Sequence, residues 1–131
     1  MSLVLIDTSA WIDYLRAGEG PLADILETLL EEDRAALCGV AVTEVRQGLL
    51  SHEEEGVLAL FETLPYLDSD RADYERAGEL LAKLRRQGVT IPAMDGVIAA
   101  LCQRHRLPLL ENDRHFAHIG GLQRIAWRED R

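Results

Sequence analysis

Leu3-Val4-Leu5-Ile6-Asp7-Thr8-Ser9 is the stretch whose reading decides the fold. Four apolar residues run into an acid, two hydroxyl residues follow, and an amphipathic run extends from Ala10 to Leu15. A short apolar run of this kind reads as a buried strand. Asp7 then stands where the strand leaves its sheet, and Ser9 is placed to N-cap the helix behind it. A carboxylate at the exit of a buried strand, facing a helix start, is where α/β proteins put chemistry. Asp7 therefore needs partners, and the rest of the chain is read for them.

Outward from that stretch, strand and helix patterns alternate. Arg16 to Pro21 is a turn by its Gly and Pro content. Leu22, Ile25, Leu26, Leu29 and Leu30 recur at helical spacing and lead into the acidic patch Glu31-Glu32-Asp33. Ala36 to Val40 is a second strand, followed by a helix with Val42, Val45 and Leu49 on one face and Glu44 in its first turn. Ser51 to Gly56 is a polar break. Val57, Leu58, Phe61 and Leu64 form a helix stopped by Pro65, and Tyr66 to Asp68 is a short third strand. A long helix capped by Ser69 or Asp70 carries Tyr74, Ala77, Leu81 and Leu84 and ends at Gln87-Gly88. A further helix runs from Met94 to His105, then a strand from Leu107 to Leu110. Glu111 to Phe116 is a loop or single helical turn, and Ile125-Ala126-Trp127 is a last edge strand. This alternation predicts an α/β fold: a three-layer α/β/α sandwich on a mostly parallel sheet of four to five strands.

Composition narrows the class. At 131 residues and 47% hydrophobic, the chain supports one core in one domain, residues 1–131, and excludes disorder. It shows no repeat or interdomain linker. No basic region precedes Leu3, so no secretory signal is expected. The longest uncharged apolar run, Val97 to Cys102, is too short to span a bilayer. Cys38 and Cys102 lie in apolar settings and read as buried free thiols of a reducing compartment, which places the protein in the cytoplasm. The net charge is −9 and uneven: residues 1–65 carry 3 basic and 13 acidic side chains, residues 66–131 carry 11 and 10. That excludes a general nucleic-acid-coating protein. A polyanionic substrate needs a divalent metal or an approach along the C-terminal half, and a basic protein partner suits the acidic half.

Topology gathers the acids. In a parallel sheet, strand ends and the starts of the following helices share one edge. Asp7, Glu44 and Asp95 all fall there. The helix from Asp95 descends roughly 18 Å at about 1.5 Å per residue, and the strand to Leu110 climbs back about 13 Å at about 3.3 Å per residue. Asp113 thereby returns to the edge where Asp95 began. Singly, Glu44 and Asp95 are acids favoured by a helix dipole, Asp113 is a turn residue, and Asp7, though it directly follows a buried strand, could simply cap the helix behind it. Together, four carboxylates cannot stay ionised side by side without a counter-charge. The single lysine, Lys83, falls in mid-helix. A hard divalent cation, Mg²⁺ or Mn²⁺, answers the need, and it would favour phosphodiester hydrolysis.

Four segments carry a resemblance: Leu5-Ile6-Asp7-Thr8-Ser9-Ala10-Trp11, Val42-Thr43-Glu44-Val45-Arg46-Gln47-Gly48-Leu49, Ile91 to Ala100 around Asp95, and Leu110-Glu111-Asn112-Asp113-Arg114-His115-Phe116. In this order and spacing the chain resembles the PIN domain, and within it the VapC-type toxins. The resemblance implies an Mg²⁺-dependent endoribonuclease with Asp7, Glu44, Asp95 and Asp113 as its acidic quartet. It also implies a homodimer inhibited by a small antitoxin that covers the acidic site, in a heterotetramer or larger complex. Two positions depart from the family pattern: Glu111 replaces a usual Thr or Ser, and His115 replaces what is often another Asp. Thr8 and Ser9 are candidates to orient Asp7 or a metal-bound water, and Asn112 is a turn residue or a ligand. His52, His105 and His118 read as surface or packing residues, and Trp11 and Trp127 as packing. Two other functions remain open. One is a haloacid-dehalogenase-like phosphatase with Asp7 as nucleophile, although Ser9 stands where that chemistry wants a second Asp, and the late lysine is absent. The other is a non-catalytic interaction module whose acids are only solvated charge.

Overall fold

The structure is a computed structural model and describes residues 2–128. Its first strand, β1 (Val4–Ile6), is buried at all three positions, so both faces of the sheet are covered there. The chain then turns at once into α1 (Thr8–Arg16), packs back through α2 (Pro21–Glu31) and re-enters the sheet as β2 (Ala35–Cys38). Pro21 opens α2 at a position where a missing N–H costs nothing. β2 is also buried throughout, and its alanines let helices approach closely. α3 (Gly39–Gln47) and α4 (Glu54–Glu62) lead to β3 (Tyr66–Leu67). α5 (Arg71–Arg86) and α6 (Ala93–His105) lead to β4 (Leu109–Leu110), and a 3₁₀ turn covers Arg114–His118.

All pairings are parallel and the strand order is β3-β2-β1-β4. Leu5 faces Ala36 on one side and Leu109 on the other. The expected α/β architecture and parallel sheet are therefore present, with four strands.

Several local expectations are corrected. Ser9 is not the N-cap of α1; Asp7 is, accepting the Ser9 N–H, because the helix begins at Thr8 without any spacer. Val40 is helical, since β2 stops at Cys38 and α3 begins at Gly39. Glu44 therefore lies beyond the first turn of α3, and no acid occupies that turn. The polar break after Leu50 is structured, with a 3₁₀ turn at Ser51–Glu53 running into α4. Ile125 to Trp127 do not form a strand. The chain touches the sheet at one bridge, Leu109 with Arg124, and the Ile125 N–H donates to the Leu109 carbonyl at 2.9 Å. It then leaves the sheet, and the Trp127 indole N–H donates to the Glu111 carbonyl at 2.8 Å.

The core is continuous from α1 to α6. Trp11 is fully buried and meets Phe61 edge-on at 5.1 Å and Tyr14 at 6.4 Å, as expected of a packing residue. α6 is buried at every position from Asp95 to Cys102, which makes it the central helix. Gly96 allows α5 to lie against it: a Cβ there would come within 2.8 Å of Leu81 Cδ1. The same pair is tied by a partly buried ion pair. Arg104 Nε and Nη2 each donate to Asp73 at 2.7 Å, and Nη2 also reaches the Asp68 carbonyl at 2.8 Å. Asp73 at the same time completes a reciprocal capping box with Asp70. Cys38 and Cys102 are buried and unpaired. Among the described residues, no helix is long and apolar enough to cross a membrane.

Candidate metal centre

β1 hydrogen-bonds to β2 on one side and to β4 on the other, so the chain steps outward from β1 through β2 to β3 and then crosses back to the far side of β1. Such a switch point opens a crevice at the carboxyl ends of the strands. Asp7 follows β1 into that crevice, and Glu111, Asn112 and Asp113 follow β4. The Asp7 N–H donates to the Leu110 carbonyl at 2.9 Å, which locks the two strand ends together.

Asp7 is 3% exposed. Its Oδ2 accepts the Ser9 N–H at 3.0 Å and the Ser9 hydroxyl. Its Oδ1 is buried with no hydrogen-bond partner. Burial is the main force on this carboxyl; Ser9 opposes it, while the charges of Asp95 and Asp113 add to it. The result is a pKa pushed up to about 7. Ser9 also acts on the neighbouring strand end. Its Oγ accepts the Asn112 N–H at 2.8 Å, so one hydroxyl joins the β1 exit to the β4 exit. Ser9 is thus hydrogen-bonded to both strand exits.

Thr8 does something different. Its Oγ1 donates to Glu44 Oε1 at 2.7 Å and so ties the acid of α3 to the start of α1. Asp95, in the first turn of α6, is 8% exposed, and burial raises its pKa against the opposing pull of His115. Asp113 caps the 3₁₀ turn by accepting the His115 N–H at 3.0 Å. His115 Nδ1 lies 3.0 Å from Asp95 Oδ2 and 2.9 Å from Asp113 Oδ1. Among the described residues, Asp95, Asp113 and His115 form the group whose donor atoms all lie within 4.8 Å of one another. Asp7 and Glu44 are outside that group. They border it, since Asp7 feels Asp95 and Asp113, and Asp95 feels Glu44.

The Asn112 side chain faces the C-terminal segment. Its Oδ1 accepts Arg128 Nη1 at 3.1 Å, while its backbone serves the site through Ser9. Glu111 is 1% exposed; its Oε1 accepts the Asp113 N–H at 3.3 Å, and Arg124 lies 3.8 Å from its Oε2. Residues 124–128 thus strap the loop that carries Asp113. Sequence reading did not find this strap, because Trp127 and Arg128 show no spacing that marks it. The one signal was Glu111, an acid directly after an apolar strand.

Hard carboxylate oxygens, one of them buried and unsatisfied, are the donor set that a divalent cation takes. Without a cation, Asp7 must hold its proton up to about neutral pH. The residues therefore fit the metal that the topology calls for.

The chain is 35% identical over 134 residues to ribonuclease VapC11 of Mycobacterium tuberculosis, covering 96% of this chain and 100% of that protein. A toxin–antitoxin complex from Klebsiella pneumoniae contains a chain of the same fold, with TM-score 0.76, 25% identity, and 96% and 98% of the two chains covered. DNA-bound VapBC from Salmonella typhimurium matches the fold with TM-score 0.80 at 21% identity, over 98% of this chain and 100% of that one. The family model that matches, over residues 4–122, is the PIN domain. Its span takes in Asp7, Glu44, Asp95 and Asp113, and the chain belongs to the PIN domain family.

Proposed function

We propose that this chain is a metal-dependent endoribonuclease that hydrolyses RNA phosphodiester bonds, the toxin of a VapBC-type toxin–antitoxin pair. The observation that carries the reading is Asp7 Oδ1: a buried carboxylate oxygen without a partner, at the switch point of the sheet, beside two further acids. Burying a carboxylate oxygen without a partner is costly, and a bound cation would satisfy it. Asp7, Asp95 and Asp113 would hold Mg²⁺ or Mn²⁺, with Glu44 completing the rim from α3. A cation bound there lowers the pKa of water and offsets charge on a phosphoryl group. The chain itself supplies position: Ser9 fixes Asp7, Thr8 fixes Glu44, and Asp113 is fixed by its own cap and by Glu111.

The ribonuclease name of the VapC11 relative supports RNA as the substrate. The toxin–antitoxin complex among the similar structures supports a small antitoxin as partner. The acidic half of the chain, 13 acids against 3 basic residues, suits an antitoxin tail bearing arginine. A homodimer, joined by antitoxin into a heterotetramer or larger assembly, in the cytoplasm, is the arrangement this reading implies.

The test is cleavage of a defined RNA by the purified chain with Mg²⁺ or Mn²⁺. Cleavage should stop with EDTA. Asp7→Asn should lower the rate by at least about 100-fold with the fold intact by circular dichroism. If no RNA is cut with either metal while a phosphomonoester turns over, the phosphatase reading replaces this one. If neither reacts and a basic partner binds wild type and Asp7→Asn equally, the chain is an interaction module.

A further inference from the structure

We propose that His115 supplies a nitrogen ligand to the cation held by Asp95 and Asp113, and that this makes the site prefer Mn²⁺ to Mg²⁺. The inference deepens the metal-dependent reading above and rests on it for the presence of a cation. The geometry is specific. Nδ1 lies 3.0 Å from Asp95 Oδ2 and 2.9 Å from Asp113 Oδ1. Neighbouring ligands about 2.1 Å from one octahedral centre lie roughly 3 Å apart. Nδ1 therefore already stands at that spacing from an oxygen of each carboxylate, and the donor atoms of all three residues lie within 4.8 Å of one another.

The ring is aimed by what surrounds it. The His115 backbone N–H is held by Asp113 Oδ1, and the next residue, Phe116, is fully buried, which pins the 3₁₀ turn to the core. The side chain is 45% exposed, so water and a substrate oxygen retain access to the remaining positions. A second observation marks the crevice as a ligand site rather than a patch of acids. Asp7 Oδ1 is buried and unpartnered, and Asp7 feels the charges of both Asp95 and Asp113.

The preference follows from ligand chemistry. Mg²⁺ is hard, keeps its waters, and gains little from an imidazole. Mn²⁺ accepts the same carboxylates and binds nitrogen more readily, as metals later in the first transition row do to a greater degree. With its proton on Nε2, neutral imidazole offers the Nδ1 lone pair. A third carboxylate at this position would instead favour the harder ion.

Two measurements on the full chain test this. Pulsed electron paramagnetic resonance of the Mn²⁺-loaded protein should show ¹⁴N modulation from one bound imidazole. It should persist in His118→Gln and vanish in His115→Asp while Mn²⁺ still binds. Calorimetric titration with MnCl₂ and MgCl₂ should show the ratio of the two affinities falling about tenfold in His115→Asp. Melting curves check that the variant folds; if it does not, the wild-type spectrum alone decides. Bound Mn²⁺ without nitrogen modulation, an unchanged affinity ratio, or no Mn²⁺ binding at all each overturns the inference. RNA cleavage that survives the first two of these leaves the nuclease reading standing. Nitrogen-coordinated Mn²⁺ without cleavage overturns the nuclease reading and leaves this one.

Discussion

At the scale of single residues, Asp7 carries the largest conflict in the molecule. An unfolded aspartate loses its proton near pH 4, whereas the folded Asp7 keeps its proton to about 7, chiefly because it is buried. Between those values the folded state binds more protons than the unfolded one, so stability falls as pH rises through that window and stays lower above it. Asp95, raised by burial in the same sense, adds to the trend. The chelator-treated protein should therefore melt at a lower temperature at pH 8 than at pH 5.5, and Asp7→Asn should flatten the difference. A divalent cation binds only the folded site, so Mn²⁺ should restore more stability at pH 8 than at pH 5.5. A melting temperature equal at both pH values without metal would contradict this account. Asp7 itself was legible from sequence, because an acid straight after a buried apolar run stands at a strand exit, where burial alone gives it no reason to be. That it could cap the helix was legible too, but the choice of Asp7 over its hydroxyl neighbours was not, because only backbone geometry chooses among adjacent residues able to cap.

At the scale of elements, two ties join distant segments and neither has a periodic signature. The first is the strap of residues 124–128 on the 111–113 loop. Trp127→Phe keeps the ring under Arg128, which sits 4.6 Å from the ring centroid, but removes the N–H that reaches Glu111. The loss of one hydrogen bond, about 1 kcal/mol, should lower the melting temperature by roughly 2–6 °C, and RNA cleavage should fall with it as the loop carrying Asp113 loosens. The second tie is Asp73 with Arg104, which joins the start of α5 to the end of α6. Arg104 holds the Asp73 carboxyl below the usual carboxylate range, and the Asp70 cap reinforces it. That stability is present above the unfolded pKa, near 4, and is lost as pH falls through the folded value. Asp73→Asn should cost about 1–3 kcal/mol at pH 7 in urea unfolding, and the cost should shrink in acid. Both ties pair residues far apart in sequence, 31 positions in the second case, so no local pattern announces them. The edge strand expected at Ile125 to Trp127 fails for a related reason. Its apolar residues satisfy a strand pattern, yet a side-chain hydrogen bond to the loop draws the chain off the sheet after a single bridge.

At the scale of the whole molecule, alternation of apolar runs with helical stripes was sufficient to predict the parallel sheet and its helical layers. Parallel strands must be joined by crossovers, and crossovers long enough to hold helices leave that alternation in any such sequence. The same rule assigned Asp7, Glu44, Asp95 and Asp113 to one edge, because every parallel strand ends on the same side. Periodicity and chain direction thus determined the architecture and sent Asp7, Asp95 and Asp113 to one edge; Glu44, beyond the first turn of α3, is tied in by Thr8 instead. The strand order, which puts β4 beside β1 and opens the crevice there, was decided by packing alone. So was the approach of His115 Nδ1 to two carboxylates. Periodicity reports which face of an element is buried, whereas the distance between side chains on different elements depends on how those faces fit together in three dimensions.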